Sequence, residues 1–167
     1  METSPVNIFS HLAIIAQVSA TLMGFIAVFI ILSNKEGRFS QSDRHFILAM
    51  VLAASYAFIL ALLPGTMSYY VTGTDLWWNA LIVALVVGLG SAIYQAHEQF
   101  TMKKEEAQKI HWAWHVIAWG LAAFMPALII SGLFGLVDEK TAYITTATIS
   151  VILALWSFIA VVFRKFF

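Results

Sequence analysis

The sequence contains no cysteine. This absence excludes disulfide bonds, iron–sulfur clusters, thiolate metal sites and thiol redox catalysis from the functions of the chain. Charged residues are also scarce, at 11% of the chain, where about 25% is typical of soluble domains. The nine Lys and Arg residues balance the nine Asp and Glu residues. We expect no nucleic-acid partner, because neutralising phosphates requires a clustered basic face.

Charge is missing altogether from five long stretches, each of at least 22 residues: 3–34, 45–74, 76–97, 110–137 and 141–163. A bilayer core about 30 Å thick is crossed by a helix of about 20 apolar residues. The pattern predicts an all-α, polytopic membrane protein embedded in the lipid bilayer. We expect one transmembrane helical domain over 1–167, with a retained first span rather than a cleaved signal peptide. The predicted spans are about 8–33, 45–70, 75–98, 110–136 and 140–163.

Carboxylates are absent from the interior of all five predicted spans, and Asp75 and Glu98 lie at the two ends of span three. Ionisable groups at membrane depth usually mark proton-coupled pumps and transporters, so their absence argues against that class. The sequence also has no paired acid and base, no Ser–His arrangement and no metalloprotease motif. We therefore expect that the protein is not an enzyme.

Basic residues are distributed unequally between the two ends of the predicted spans. Eight of the nine Lys and Arg residues follow spans one, three and five or precede span two, and only Lys140 lies at the opposite end. Because cytoplasmic segments carry the excess of basic residues, this asymmetry predicts an outside N-terminus and a cytoplasmic C-terminus. The predicted location is the plasma (inner) membrane.

Capping residues, prolines and aromatics predict local features of the spans. Ser40, Ser42 or Asp43 is expected to cap span two. Prolines at two positions are expected to end or kink span two and to bend span four. Aromatic residues near the outer ends, including Tyr143 and Trp77, are expected to lie at the membrane–water interface.

Small residues recur on single faces of two spans and predict close helix packing. Ala16 and Ala20 form such a face on span one, and Ala84 and Gly88 form another on span three. The alternative role of such a stripe is the polar lining of a conduit.

A second face of span one carries a polar pair. Gln17, Thr21, Gly24 and Val28 follow spacings of four, three and four residues, so they share one helical face. A Gln at membrane depth requires a hydrogen-bond partner or water. Two readings stay open, a bond to another helix or a pore-facing position in an assembly of copies. One chain has too few helices to enclose an aqueous path, so conduction requires a symmetric homo-oligomer.

Residues 19–28, Ser-Ala-Thr-Leu-Met-Gly-Phe-Ile-Ala-Val, resemble the pore-lining first helix of the Orai calcium-channel family. The Thr-rich start of span five, 144–149, and the later run 158–164 are similar to that family's last helix. The resemblance implies that Phe25 and Val28 are hydrophobic gate positions. It does not imply calcium selectivity, because Leu32 occupies the acidic selectivity position. It covers only the first and last helices, whereas the whole family fold has four.

Histidines form the other constellation at the predicted cytoplasmic ends of spans: His45, His97, His111 and His115. Three roles are open, namely interfacial side chains held by backbone or water, a proton sensor, or a metal or haem site. We predict no cofactor, with haem or a divalent metal as the alternatives.

The leading functional prediction is a homo-oligomeric pore or channel for small ions, in which Gln17, Thr21, Gly24, Phe25 and Val28 line the path. The first alternative is a non-catalytic membrane subunit or scaffold that binds another membrane protein through its small-residue faces. The second alternative is a His-ligated metal or haem protein.

Overall fold

The computed structural model describes the backbone of residues 5–34, 40–71, 75–105 and 112–166, and the side chains of 8–32, 40–71, 75–105 and 112–163. Within these ranges lie five long helices, each apolar enough to cross a membrane. Even the shortest, of 22 residues, measures about 33 Å. The predicted set of five apolar helices is therefore confirmed. The helices are α1 (Pro5–Asn34), α2 (Gln41–Met67), α3 (Asp75–Thr101), α4 (Trp112–Leu133) and α5 (Glu139–Phe166).

The first turn of α2 is fixed by a capping box, which starts the helix four residues before the predicted span. Ser40 Oγ accepts a hydrogen bond from the backbone N–H of Asp43 at 3.1 Å. The carboxylate of Asp43 accepts one from the backbone N–H of Ser40 at 3.2 Å. These reciprocal bonds satisfy two N–H groups that a helix start otherwise leaves unpaired. Of the predicted capping residues, Ser40 is the cap and Asp43 completes the box.

The α4–α5 connection is a tight turn built on a left-handed glycine. Gly135 has φ 70°, a conformation that costs glycine little because it has no Cβ. Its N–H donates to Gly132 O at 3.0 Å, and the N–H of Leu136 donates to Ser131 O at 2.9 Å. This pair of bonds is the Schellman motif, which ends a helix and reverses the chain. It brings α5 back alongside α4.

The bundle is centred on α2 and α5, which contact each other most extensively. A large apolar cluster at one end joins α1, α2, α3, α4 and α5 around Leu12, Leu60, Leu81 and Tyr143. A second cluster around Met50 and Ala154 fills the middle, and Phe46 packs with Ala160 and Val161 at the other end. In contrast, α4 is the least buried of the five helices.

Pro64 lies inside α2, and the helix does not end at this proline but continues to Met67. Proline has no N–H, so it cannot donate to the carbonyl of Leu60 four residues earlier. The hydroxyl of Tyr143 supplies the missing hydrogen bond to Leu60 O at 2.7 Å. Tyr143, predicted to lie at the interface, is instead completely buried. The ring is buried in the bundle because its hydroxyl completes the backbone hydrogen bonding of α2.

Asp138 caps the N-terminus of α5. Its carboxylate accepts hydrogen bonds from the backbone N–H of Thr141 at 2.9 Å and from the Thr141 hydroxyl at 3.0 Å. The backbone bond from Thr141 is the largest cause that lowers the pKa of Asp138 below its usual value, and the charge of Lys140 adds to it.

We expect Asp138→Ala to lower the free energy of unfolding by about 1 kcal/mol, because the cap is lost. The contribution of the carboxylate should be complete above its unfolded pKa and should fade as pH falls through its lower folded pKa. Unfolding in mixed micelles across that acidic range measures both effects. Equal stability of the wild type and the variant at neutral pH would contradict the assignment of the cap.

Candidate functional site

The polar face of α1 points away from the bundle. With about 100° between successive residues, Gln17, Thr21, Gly24 and Val28 lie within about 60° of one another. Their common direction is about 180° from that of the buried residues Leu12, Ser19 and Ile26. All four are exposed, and so is Phe25 beside them. We call these five residues the outward face of α1.

Gln17 carries an amide without a partner on this face. The hydroxyl of Thr21 donates to the backbone carbonyl of Gln17 at 2.8 Å, so Thr21 is satisfied within its own helix. No hydrogen bond joins the Gln17 amide to any other residue in the part of the chain that the structure describes. An amide without a hydrogen bond in an apolar medium costs several kcal/mol, roughly 4–8 by transfer to a solvent that cannot bond. The amide therefore requires a group from outside the single chain.

The rest of the outward face is open and apolar. Phe25 and Val28 are 60% and 54% exposed. A Cβ added at Gly24 meets no atom within 4 Å. Within the described residues, nothing therefore covers this face.

Small cavities lie in the interior of the bundle, among the described residues. The larger of two adjoining cavities between α2, α3, α4 and α5 measures about 50 Å³, and the smaller about 30 Å³. Since one water molecule requires about 10–15 Å³ of such volume, each holds a few waters at most. A path for hydrated ions would have to lie between copies.

The four residues predicted to pack between helices lie in different surroundings. Ala84 is completely buried in the core and Ala16 packs partly against it, whereas Ala20 is exposed. Gly88 lies under a tyrosine, since a Cβ added there would be 2.9 Å from the hydroxyl oxygen of Tyr56. This close approach lets the Tyr56 hydroxyl donate to Ala84 O at 2.7 Å.

A polar network joins α3 to α4 at the end of the bundle where α2 begins. The indole N–H of Trp119 donates to Gln99 Oε1 at 2.6 Å. Gln99 Nε2 lies 3.3 Å from Nδ1 of His115. Because the indole is only a donor, the amide oxygen must face it and the amide N–H must face His115. His115 Nδ1 is then the acceptor, and the proton of the neutral ring is on Nε2.

His45, on α2, lies on the other side of the smaller cavity from this network. Its ring and that of His115 both line the cavity, together with Gln95 and Ser157. His45 Nδ1 is buried and has no hydrogen-bond partner among the described residues. His45 interacts electrostatically with His115 and with Glu98.

The remaining predicted histidines do not join this pair. His97 is exposed near the end of α3, and His111 lies outside the described residues. Within the described ranges, no group of three or more His, Cys, Asp or Glu side chains is placed to hold a metal ion. The pair His45 and His115 is therefore the part of the predicted cluster that the described structure brings together.

Two functional side chains, Gln99 and Trp119, were not singled out from the sequence. Each lies on a different helix, 20 residues apart, so no periodic pattern connects them. The available signal was the pair of glutamines Gln95 and Gln99, which share one face of α3 at a spacing of four residues.

These features define an all-helical bundle of apolar helices with one uncovered polar face, an arrangement typical of multi-pass membrane proteins. No family model matches the chain, and neither a curated protein nor a solved structure matches it.

Proposed function

We propose that this protein is a homo-oligomeric integral membrane protein that forms a pore for small ions, lined by the outward face of α1. The observation that carries the proposal is the position of Gln17. Its unpartnered amide points away from the core, and at the proposed bilayer depth it needs a polar group of another chain or a water-filled path. The local resemblance of α1 to the pore-lining helix of the Orai family supports the same face.

The proposed orientation places the N-terminus outside and the C-terminus in the cytoplasm of the plasma (inner) membrane. Its support is the excess of Lys and Arg at one end of the helices. Gln17 and Thr21 are then nearer the outer end of the path, and Val28 is nearer the cytoplasm. Phe25 and Val28 form an apolar constriction that gates by excluding water.

The histidine pair tunes opening in this proposal. Protonated His115 has donors on both ring nitrogens, so it can no longer accept from Gln99. Turning the Gln99 amide does not help, because its NH₂ would then face the Trp119 N–H. The titratable side chain that lines the same cavity as His115 is His45 on α2, and His45 in turn interacts with Glu98 on α3. Protonation therefore weakens the α3–α4 contact at the predicted cytoplasmic mouth.

We expect Gly24→Leu to disrupt assembly while leaving the single copy folded. A Cβ added at Gly24 or at Gly90 meets no described atom within 4 Å, so both positions have room for the start of a larger side chain. Only Gly24 lies on the outward face, and Gly90→Leu on α3 is the matched control. Mass measurement in detergent or nanodiscs should show fewer oligomers for Gly24→Leu alone. A monomeric wild type would remove the proposed pore.

We expect Val28→Ser to raise ion leak from proteoliposomes severalfold, because a hydroxyl helps water to wet the constriction. Val86→Ser is the matched control, since Val86 is 65% exposed on α3, away from the proposed path.

Wild-type flux should also change on either side of neutral pH, and Gln99→Leu should reduce that change. No flux from any variant at any pH would contradict conduction.

In the scaffold alternative, the protein uses the same outward face of α1 but conducts no ions. Gln17 would then bond to a polar group of another membrane protein. An assembly that forms through Gly24 and conducts nothing would support this role over a pore.

A further inference from the structure

A surface groove runs between α1 and α3, with α2 as its floor. Its volume is about 310 Å³, near the lower end of the range for ligand pockets, about 300–1,000 Å³. The apolar part is formed by Ile30 of α1 and by Ile47, Leu48 and Val51 of α2. Between Arg44 and Val51 the groove follows α2 for about 10 Å, at 1.5 Å per residue.

The rim of the groove carries two opposite charges. Arg44 projects from α2, and Glu98 projects from α3 with Tyr94 one helical turn before it. All three side chains are exposed. Neither Arg44 nor Glu98 forms an ion pair or a side-chain hydrogen bond with another residue in the described part of the chain. The rim therefore offers one guanidinium and one carboxylate above an apolar floor, and neither is in an ion pair within the described residues.

The groove is separate from the outward face of α1. Ile30 points in the direction of the buried residues Leu12 and Ile26, about 180° from Gln17 and Val28 around the helix. A second copy seated on the outward face would leave this groove open to the surrounding lipid. The occupant must match a positive charge, a negative charge and an apolar channel.

We propose that the groove binds one phospholipid with a primary-amine zwitterionic headgroup, such as phosphatidylethanolamine. The guanidinium of Arg44 holds the phosphate, for which its planar set of donors is well suited. The carboxylate of Glu98 accepts from the ammonium, and an acyl chain lies along Leu48 and Val51. Phosphatidylglycerol would lack the ammonium, and phosphatidylcholine has no N–H to donate. The site requires insertion in a bilayer but not the proposed pore.

Native mass spectrometry of the purified protein, with each of these three phospholipids added, tests the proposal. The wild type should retain phosphatidylethanolamine most strongly. Arg44→Gln should weaken binding of all three by about tenfold, because a charged hydrogen bond is lost. Glu98→Gln should weaken phosphatidylethanolamine about fivefold and leave phosphatidylglycerol unchanged or tighter. The matched controls are Lys104→Gln and Glu105→Gln, two exposed charges outside the groove.

Two further variants test occupancy of the apolar channel. Leu48 lines the groove without belonging to a core cluster, so Leu48→Trp should block the lipid without unfolding the bundle. Leu48→Cys provides the only thiol in a chain without cysteine. Equal retention of the three lipids by the wild type, or no effect of Glu98→Gln, would overturn the proposal. Efficient disulfide dimers of Leu48→Cys would also overturn it, because a second copy would then cover the groove. Ion flux is a separate measurement, so failure of the lipid site and failure of the pore are distinguishable.

Discussion

Gly132→Ala is expected to lower the free energy of unfolding by about 1–3 kcal/mol, the usual cost of overpacking a core. A Cβ added at Gly132 would be 2.8 Å from the Cβ of Ala142 and 3.1 Å from Cδ1 of Leu81. The Ala142 Cβ is attached directly to the α5 backbone, so it has no rotamer that avoids the contact. Alanine at an open helical site gains up to about 1 kcal/mol over glycine. That gain is too small to offset the cost of moving α4 away from α5 to relieve the contact.

Two further variants make this prediction specific. Gly120→Ala, on the same helix with nothing within 4 Å of the added Cβ, should leave stability equal or higher. Ala142→Gly should restore most of the stability lost in Gly132→Ala, because it removes the opposing methyl. Unfolding in mixed micelles measures all four proteins. A loss in Gly120→Ala as large as that in Gly132→Ala would show that helix flexibility, rather than the close approach, decides the effect.

Tyr143→Phe is expected to cost about 1–3 kcal/mol, because it leaves the Leu60 carbonyl buried without a donor. Normally the N–H four residues later would bond to this carbonyl, but residue 64 is proline. The Tyr143 hydroxyl, 2.7 Å away, is the donor that replaces it. Removing the hydroxyl changes little volume, so the unsatisfied carbonyl dominates the effect.

A second buried tyrosine provides the matched control. The Tyr56 hydroxyl donates to Ala84 O at the same distance, 2.7 Å. That carbonyl lies in α3 and also has a helical donor, the N–H of Gly88. Tyr56→Phe should therefore cost clearly less than Tyr143→Phe. Pro64→Ala should partly rescue Tyr143→Phe by returning an N–H to α2, and additive effects in this double-mutant cycle would contradict the proposed role of Tyr143.

The lipid groove and the outward face of α1 lie on opposite sides of one helix. In the two proposals, α1 contacts another copy on one side and a bound phospholipid on the other. The buried face of α1, which includes Leu12 and Ile26 and is directed the same way as Ile30, holds α1 on α2 and α5. A substitution at either surface should therefore leave the other intact. Ion flux and lipid retention can then be measured independently.

Periodicity and local capping were readable from the sequence because both depend on residues close together in the chain. The charge-free stretches predict the five helices, since length and apolarity decide which segments suit a bilayer. Ser40 and Asp43 predict the start of α2 because capping involves only neighbouring backbone groups. The spacing of Gln17, Thr21, Gly24 and Val28 predicts a shared face for the same reason.

Contacts between distant segments were decided by the tertiary structure alone. Which hydroxyl reaches the carbonyl left free by Pro64 depends on how α5 packs against α2, 83 residues apart. The network of Gln99 and Trp119 likewise exists only because α3 and α4 are adjacent. The sequence by itself determined the five apolar helices and the capping segment of α2, because these follow from intervals of a few residues. Only the packing decided which side chains are buried, paired or left open, since that depends on where neighbouring helices lie in space.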